Sequence, residues 1–196
     1  MGKISGSEAL QLLRDGNKRF TTGKPAVKDT GQARREELAG KGQKPFAVIV
    51  TCSDSRVPPE LIFDQALGDL FVIRTAGNVV DPIAVGSVEY AAEHLGSPLL
   101  VVMGHEKCGA VQATVDGGEA PGSIAAIVAK IAPSAQKARA AGASGSDLYE
   151  KCCLENVKST IAEIKESHIV QHFIKDGLLT VAGAKYHLAS GAVEFI

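Results

Sequence analysis

Short apolar, β-prone runs alternate with helical patterns along most of this chain, and its most unusual polar residues sit where those runs end. Residues 46–51, 70–75, 99–104 and 178–182 read as strands, and their nearly unbroken apolar character suits a parallel sheet buried on both faces. Residues 192–196, after the turn at Ser190 and Gly191, read as an antiparallel edge strand. Helical periodicity fills the intervals: 59–63, a helix from Asp81 or Pro82 to Leu95 closed by Gly96, a short helix after Cys108, one from Ser123 that Pro133 kinks or interrupts, the long stretch 147–167, and 169–175. Strands alternating with helices predict an α/β fold, with about four parallel strands plus an antiparallel edge strand, flanked by helices.

The chain begins with helix rather than strand. Ser5 and Glu8 have the spacing of a capping box, and an amphipathic segment follows through Leu10, Leu13 and Phe20. Asp15, Gly16 and Asn17 predict a break into two helices, and 32–38 predicts another that ends at Gly40. This N-terminal helical arm, residues 1–42, has no strand of its own to cover. The pattern leaves two resting places for it, across this domain or across a second subunit. At 196 residues, with no internal repeat or linker, the chain predicts a single domain over 1–196.

Composition narrows the function. A formal net charge of -1 gives no basis for a nucleic-acid or anionic-membrane partner. No apolar run approaches the roughly 20 residues a membrane-spanning helix needs. The first residues lack the apolar core of a signal peptide, so a cytoplasmic location is expected. The cysteines number four, and without a secretory signal they point to metal or catalytic use rather than a disulfide framework. Cys152 and Cys153, adjacent in a helical pattern, read as small apolar fillers.

The chemistry concentrates after the strands at 46–51 and 99–104. Cys52 follows the first; His105 and Cys108 follow the other, three residues apart, so a strand-to-helix turn can aim both at one point. Two thiolates and an imidazole suit zinc, and three strong ligands leave a fourth position for water or a labile carboxylate. Asp54 and Arg56 can pair at the rim. Three plainer readings stay open at this level: unrelated buried thiols beside a surface histidine, a purely structural zinc site, or a loop salt bridge of little consequence. On pattern alone Phe71 and Tyr90 read as core, and His94, His168, His172 and His187 as surface or helix-end residues.

The segments from Cys52 to Arg56 and from Gly104 to Gly109 resemble the zinc motifs of the β-class carbonic anhydrases. Phe71 to Arg74, Ala76 to Asn78, and Val88 to Tyr90 are also similar to that family, with looser agreement at Gly16 to Phe20. The resemblance implies reversible hydration of carbon dioxide to bicarbonate and a proton by zinc-bound hydroxide. It implies Cys52, His105 and Cys108 as zinc ligands, Asp54 and Arg56 as catalytic residues, and Asp54 as an alternative fourth ligand when released from Arg56. It also implies Gln43, Gly109, Phe71 and Tyr90 as substrate-binding residues, partly shared with a neighbouring subunit, in a homodimer or a homotetramer built of dimers. Ala76 stands where some members carry a bulkier aliphatic side chain. In a carbonic anhydrase with a three-histidine site, zinc brings the pKa of bound water down to about 7; two thiolates donate more charge and leave that water less acidic. Relatives of the fold hydrolyse carbonyl sulfide or carbon disulfide, which keeps a second substrate class open, as does a non-catalytic zinc-supported module.

Overall fold

Burial on both faces makes β1 (Ala47–Cys52) and β3 (Leu99–His105) the centre of the computed structural model, which describes residues 4–196. Residues 1–3, part of the segment expected to lack a signal-peptide core, lie outside the described residues. Side chains alternate along the strands. Val48, Val50, Leu100 and Val102 therefore enter one apolar layer, while Ala47, Ile49, Val101 and Met103 enter the other. β2 (Leu70–Thr75) pairs with the free side of β1, β4 (Thr180–Tyr186) with β3, and β5 (Val193–Phe195) runs antiparallel at the outer edge. The order is β2-β1-β3-β4-β5, with the first four strands parallel.

This order creates a switch point. The chain leaves β1 toward β2 on one side and leaves β3 toward β4 on the other, so the loops after two adjacent strands diverge. Such a crevice at the carboxyl edge is where open α/β sheets take ligands. The helices α4 (Pro82–Glu93), α7 (Gly145–Ile164) and α8 (His168–Lys175) cover one face through Val88, Val157, Ile164 and Val170. The other face is covered by α1 (Gly6–Thr21) and the short α3 (Pro59–Ile62), through Ala9, Leu13 and Ile62. α5 (Gly109–Asp116) and α6 (Ile124–Ala140) pack around the carboxyl edge with Cys52, Cys108 and Cys152. α2 (Gln32–Lys41) buries no residue.

Expectations change at Gly16, at Pro133 and in β4. The break at Gly16 is absent, and α1 is one helix capped by the Ser5–Glu8 box. Gly16 serves close approach instead: a Cβ there would lie 1.8 Å from the carbonyl oxygen of Phe63. Beside it, buried Asn17 donates to the carbonyls of Ile62 (3.1 Å) and Gly191 (2.8 Å) and accepts from the Val193 amide (2.9 Å). Turn-forming residues here knit a helix to the far end of the chain, and that contact overrides their local preference. Pro133 likewise lies inside a helix that continues past it, because Ile131, Ser134, Ala135 and Ala138 keep that face buried. β4 starts at Thr180 rather than at 178 and continues to Tyr186; Lys185 and Tyr186 hid its end from an apolar pattern, yet both are buried. The first helix of the arm thus lies across its own domain.

Beyond α1, the chain is tied down at Asp64, whose side chain is only 5% exposed. It pairs with Arg19 of α1 and with Lys28 (2.7 Å), and accepts from the Ala26 amide (3.0 Å). Burial pushes this carboxyl up, but Lys28, the Ala26 amide and Arg19 outweigh it and hold it at about 2.

Two measurements check this account. Gly16→Ala raises helix propensity by up to about 1 kcal/mol, whereas overpacking costs about 1–3 kcal/mol. With backbone at 1.8 Å the clash wins, so urea denaturation should show a net loss of stability; a gain would mean the contact yields. For Asp64, a lowered folded-state pKa means its stabilisation is complete above its unfolded value near 3.9. It is lost as pH falls through about 2. Asp64→Asn should flatten the pH dependence of stability between about 4 and 2, and an unchanged slope would disprove the assignment.

Candidate metal centre

Parallel pairing puts the last residues of β1 and β3, Cys52 and His105, at the same sheet edge. Cys108 follows one turn later, immediately before α5. The turn between them requires Lys107 to hold φ at +52°, an uncommon conformation for a residue with a Cβ. The result is convergence: one ligand atom from each of Cys52, His105 and Cys108 lies within 4.8 Å of the others. All three residues are buried.

Their chemistry is incomplete without a cation. The sulfurs of Cys52 and Cys108 are 3.9 Å apart. His105 Nδ1 lies 2.9 Å from the Glu106 carbonyl, which can only accept, so Nδ1 carries the proton and Nε2 presents a lone pair. That Nε2 is buried and has no hydrogen-bond partner. A nitrogen lone pair left unsatisfied beside two thiols is a donor set for a soft or borderline metal such as zinc. The contact with Cys108 draws the Cys52 thiol well below the ordinary thiol range, helped by His105 and by the amides of Gly77 and Asp54. The same contact, with burial, pushes the Cys108 thiol up. One proton shared by two sulfurs is the arrangement a cation replaces.

The rim is an ion pair with forked geometry. Arg56 Nε donates to Asp54 Oδ1 (2.9 Å) and Nη2 to Oδ2 (2.7 Å), while the Arg56 amide also donates to Oδ1 (2.9 Å). Arg56 Nη2 reaches the Lys107 carbonyl as well (3.3 Å), joining the two ligand loops. Arg56 holds the Asp54 carboxyl at about 2, so it is anionic at any working pH. Asp54 Oδ2 lies 3.9 Å from His105 Nε2, beside the cluster but outside hydrogen-bond distance.

Further contacts hold the segments around the cluster. Arg74 donates to the carbonyls of Cys52 (3.0 Å) and Asp54 (2.6 Å), fixing the loop that bears both. A lone arginine in an otherwise apolar strand was the available signal for it. The Cys52 sulfur accepts from the amides of Gly77 (3.3 Å) and Asp54 (3.4 Å). Gly77 belongs to a 3-10 turn, Ala76–Asn78, whose neighbour Ala76 lines an open, mostly apolar groove of about 420 Å³ with Val79, Val80 and Ile127. The nearby amides of Ala110 and Val111, in the first turn of α5, favour the charged form of Cys108.

Gly109 is the first residue of α5, next to Cys108, and a Cβ there would meet open space. The other three residues are elsewhere. Gln43 is exposed in the loop before β1, at the opposite edge of the sheet from Cys52. Phe71 pairs with Val48, four residues back along β1, which at about 3.3 Å per residue is about 13 Å from the cluster. Tyr90 is half-exposed on α4, its ring 6.3 Å from that of Phe71. Within one protomer, therefore, Gln43, Phe71 and Tyr90 are not brought to Cys52, His105 and Cys108.

The profile of the carbonic anhydrase family matches residues 47–193, which includes the whole cluster. The chain is 44% identical over 191 residues to a carbonic anhydrase of Mycolicibacterium smegmatis, covering 95% of this chain and 91% of the relative. It is 42% identical over 188 residues to carbonic anhydrase 2 of Mycobacterium tuberculosis, covering 93% and 89%. Among solved structures, the β-carbonic anhydrase CafA of Aspergillus fumigatus superposes with a TM-score of 0.77 at 26% identity, covering 97% of this chain and 89% of that one. A tetrameric β-carbonic anhydrase of Sordaria macrospora shares the fold, with a TM-score of 0.76 at 21% identity over 96% and 97% of the two chains.

Removing the guanidinium in Arg56→Ala takes away the largest influence holding Asp54 down. Carbon-13 NMR titration of the metal-free protein should show the Asp54 carboxyl rising from about 2 toward the ordinary value of 3.8. A carboxyl that stays down would mean the backbone, and not Arg56, sets its charge.

Proposed function

Because the chain belongs to the β-class carbonic anhydrases, and so hydrates carbon dioxide reversibly to bicarbonate and a proton, we propose that Cys52, His105 and Cys108 hold a zinc ion and that Asp54 and Arg56 serve the reaction beside it. The observation that carries this assignment is the orphaned Nε2 of His105 beside two sulfurs 3.9 Å apart, with a bound carboxylate on the rim. When bound there, zinc supplies Lewis acidity, which makes hydroxide available near neutral pH.

The residues divide the remaining work. Cys52 and Cys108 supply thiolates, that of Cys52 kept in place by the amides of Gly77 and Asp54. His105 supplies Nε2, its tautomer set by the Glu106 carbonyl. Asp54, held anionic by the forked Arg56 contact, would accept a hydrogen bond from the oxygen that attacks carbon dioxide and so orient a lone pair of that oxygen toward the substrate carbon. Freed from Arg56, the same carboxylate is placed to become a fourth ligand, since Oδ2 already lies 3.9 Å from Nε2. The apolar groove beginning at Ala76 suits an uncharged molecule such as carbon dioxide. Gly109, with open space beside its backbone, borders the bicarbonate.

Gln43, Phe71 and Tyr90 serve a neighbouring subunit's site in a homo-oligomer, a dimer or a dimer of dimers. Their distance from the cluster of their own protomer supports this reading, as does the exposure of the apolar residues Tyr90, Ile83 and Leu61. Residues 1–196 act as a single domain, with 1–42 as its arm. No helix among the described residues is long and apolar enough to cross a membrane. A cytoplasmic location accords with four unbridged cysteines, two of them needed as thiolates.

Stopped-flow measurement of carbon dioxide hydration tests the residues. Cys52→Ala should lose its metal and its activity together, and the parent should carry about one zinc per chain. Asp54→Ala should keep the metal and lose about 10²–10⁴-fold in kcat. Full activity in both variants refutes the assignment.

A further inference from the structure

One stripe of α7 reaches the metal centre without contributing a ligand. Cys153, Asn156 and Thr160 are spaced by three and four residues, so they share a helix face. All three are buried and all three donate to backbone carbonyls around the cluster. Cys153 Sγ lies 3.4 Å from the His105 carbonyl. Asn156 Nδ2 donates to the Gly77 carbonyl (2.7 Å), and Thr160 Oγ1 to the Asn78 carbonyl (3.2 Å).

The last two contacts brace a turn in which Gly77 and Asn78 both sit at positive φ, +71° and +48°, a region that glycine and asparagine adopt most readily. That double left-handed turn is what points the Gly77 amide at the Cys52 sulfur, 3.3 Å away. On the other side, a Cβ at Gly77 would meet Ile131 at 2.7 Å and Ala110 at 3.0 Å, so the turn is gripped between α5, α6 and α7.

We infer that Asn156, with Thr160 beside it, is a positioning residue for the metal centre: by holding the Gly77 carbonyl it fixes the conformation of Gly77, and with it the direction of the Gly77 N–H on the preceding peptide, which donates to the Cys52 thiolate. An N–H donated to a thiolate withdraws charge from the sulfur, weakens its donation to a metal and leaves the metal a stronger Lewis acid. The amide of Asn156 is chosen by geometry, since it supplies a donor to a carbonyl in a dry site where an unpaired carbonyl is costly. The inference rests on Cys52 being a metal ligand, and its test separates the two claims.

The test uses the full-length protein loaded with Co2+ in place of zinc, read by its thiolate-to-cobalt charge-transfer absorption. In Asn156→Ala, loss of the Gly77 N–H contact raises the energy of the sulfur electrons, so this band should move to longer wavelength. Thr160→Val should move the band the same way but less, and Lys158→Ala, on the exposed face of α7, should leave it at the parental wavelength. Circular dichroism and thermal melting report whether each variant is folded. If Asn156→Ala does not fold, Asn156→Asp and Thr160→Val are read by the same band and decide the matter. A folded, cobalt-loaded variant of Asn156 with the parental band overturns the inference while Cys52 stays a ligand. A parental protein with no thiolate band removes Cys52 from the metal and takes the inference with it.

Discussion

Two sulfurs and a buried imidazole nitrogen are held within 4.8 Å of one another, at the carboxyl edge of a sheet that excludes water from both faces. Bringing such groups together is unfavourable unless something neutralises them: thiolates repel, and an Nε2 lone pair without a donor forfeits the hydrogen bond it had in water. The fold accepts that cost at one place. It compensates with backbone amides turned onto the Cys52 sulfur, from Gly77 and Asp54. These dipoles favour the thiolate form, and they also limit how much charge that sulfur can give a cation.

Rigidity follows from the same requirement. β1 and β3 are central and fully buried, so Cys52 and His105 cannot drift apart without breaking the sheet. The loops that leave these strands in opposite directions are tied by Arg56, which spans from Asp54 to the Lys107 carbonyl, and by Arg74, which takes the carbonyls of Cys52 and Asp54. Guanidinium groups suit the task, because a planar fork satisfies two acceptors at fixed separation. α7 then braces the cluster from behind through Cys153, Asn156 and Thr160. The N-terminal arm is fastened differently, by buried Asn17 and by Asp64 between Arg19 and Lys28, far from the chemistry.

Much of this was legible from residue order. An apolar run ending in Cys52 and another ending in His105 and Cys108 announced strands whose polar ends meet, because hydrophobic burial dictates the strands and parallel pairing aligns their ends. Asp54 and Arg56, two positions apart, could be read as a pair for the same local reason. What misled was also local: Asp15, Gly16 and Asn17 carry turn chemistry, yet α1 passes through them because Gly16 meets the Phe63 carbonyl and Asn17 bonds residues 45 and 174 positions away. Gln43, Phe71 and Tyr90 had no local signature of a site, and a single protomer keeps them from the cluster.

The sequence by itself determined the element types, the donor set and the family, since apolar periodicity and ligand spacing are properties of short segments. Only the tertiary structure decided which carbonyls Asn156, Thr160 and Arg74 would hold, that Gly77 would turn its amide to sulfur, and that α1 would run unbroken across its own sheet. Those outcomes depend on satisfying buried polar groups between segments remote along the chain, and partners of that kind exist only once the chain has closed around them.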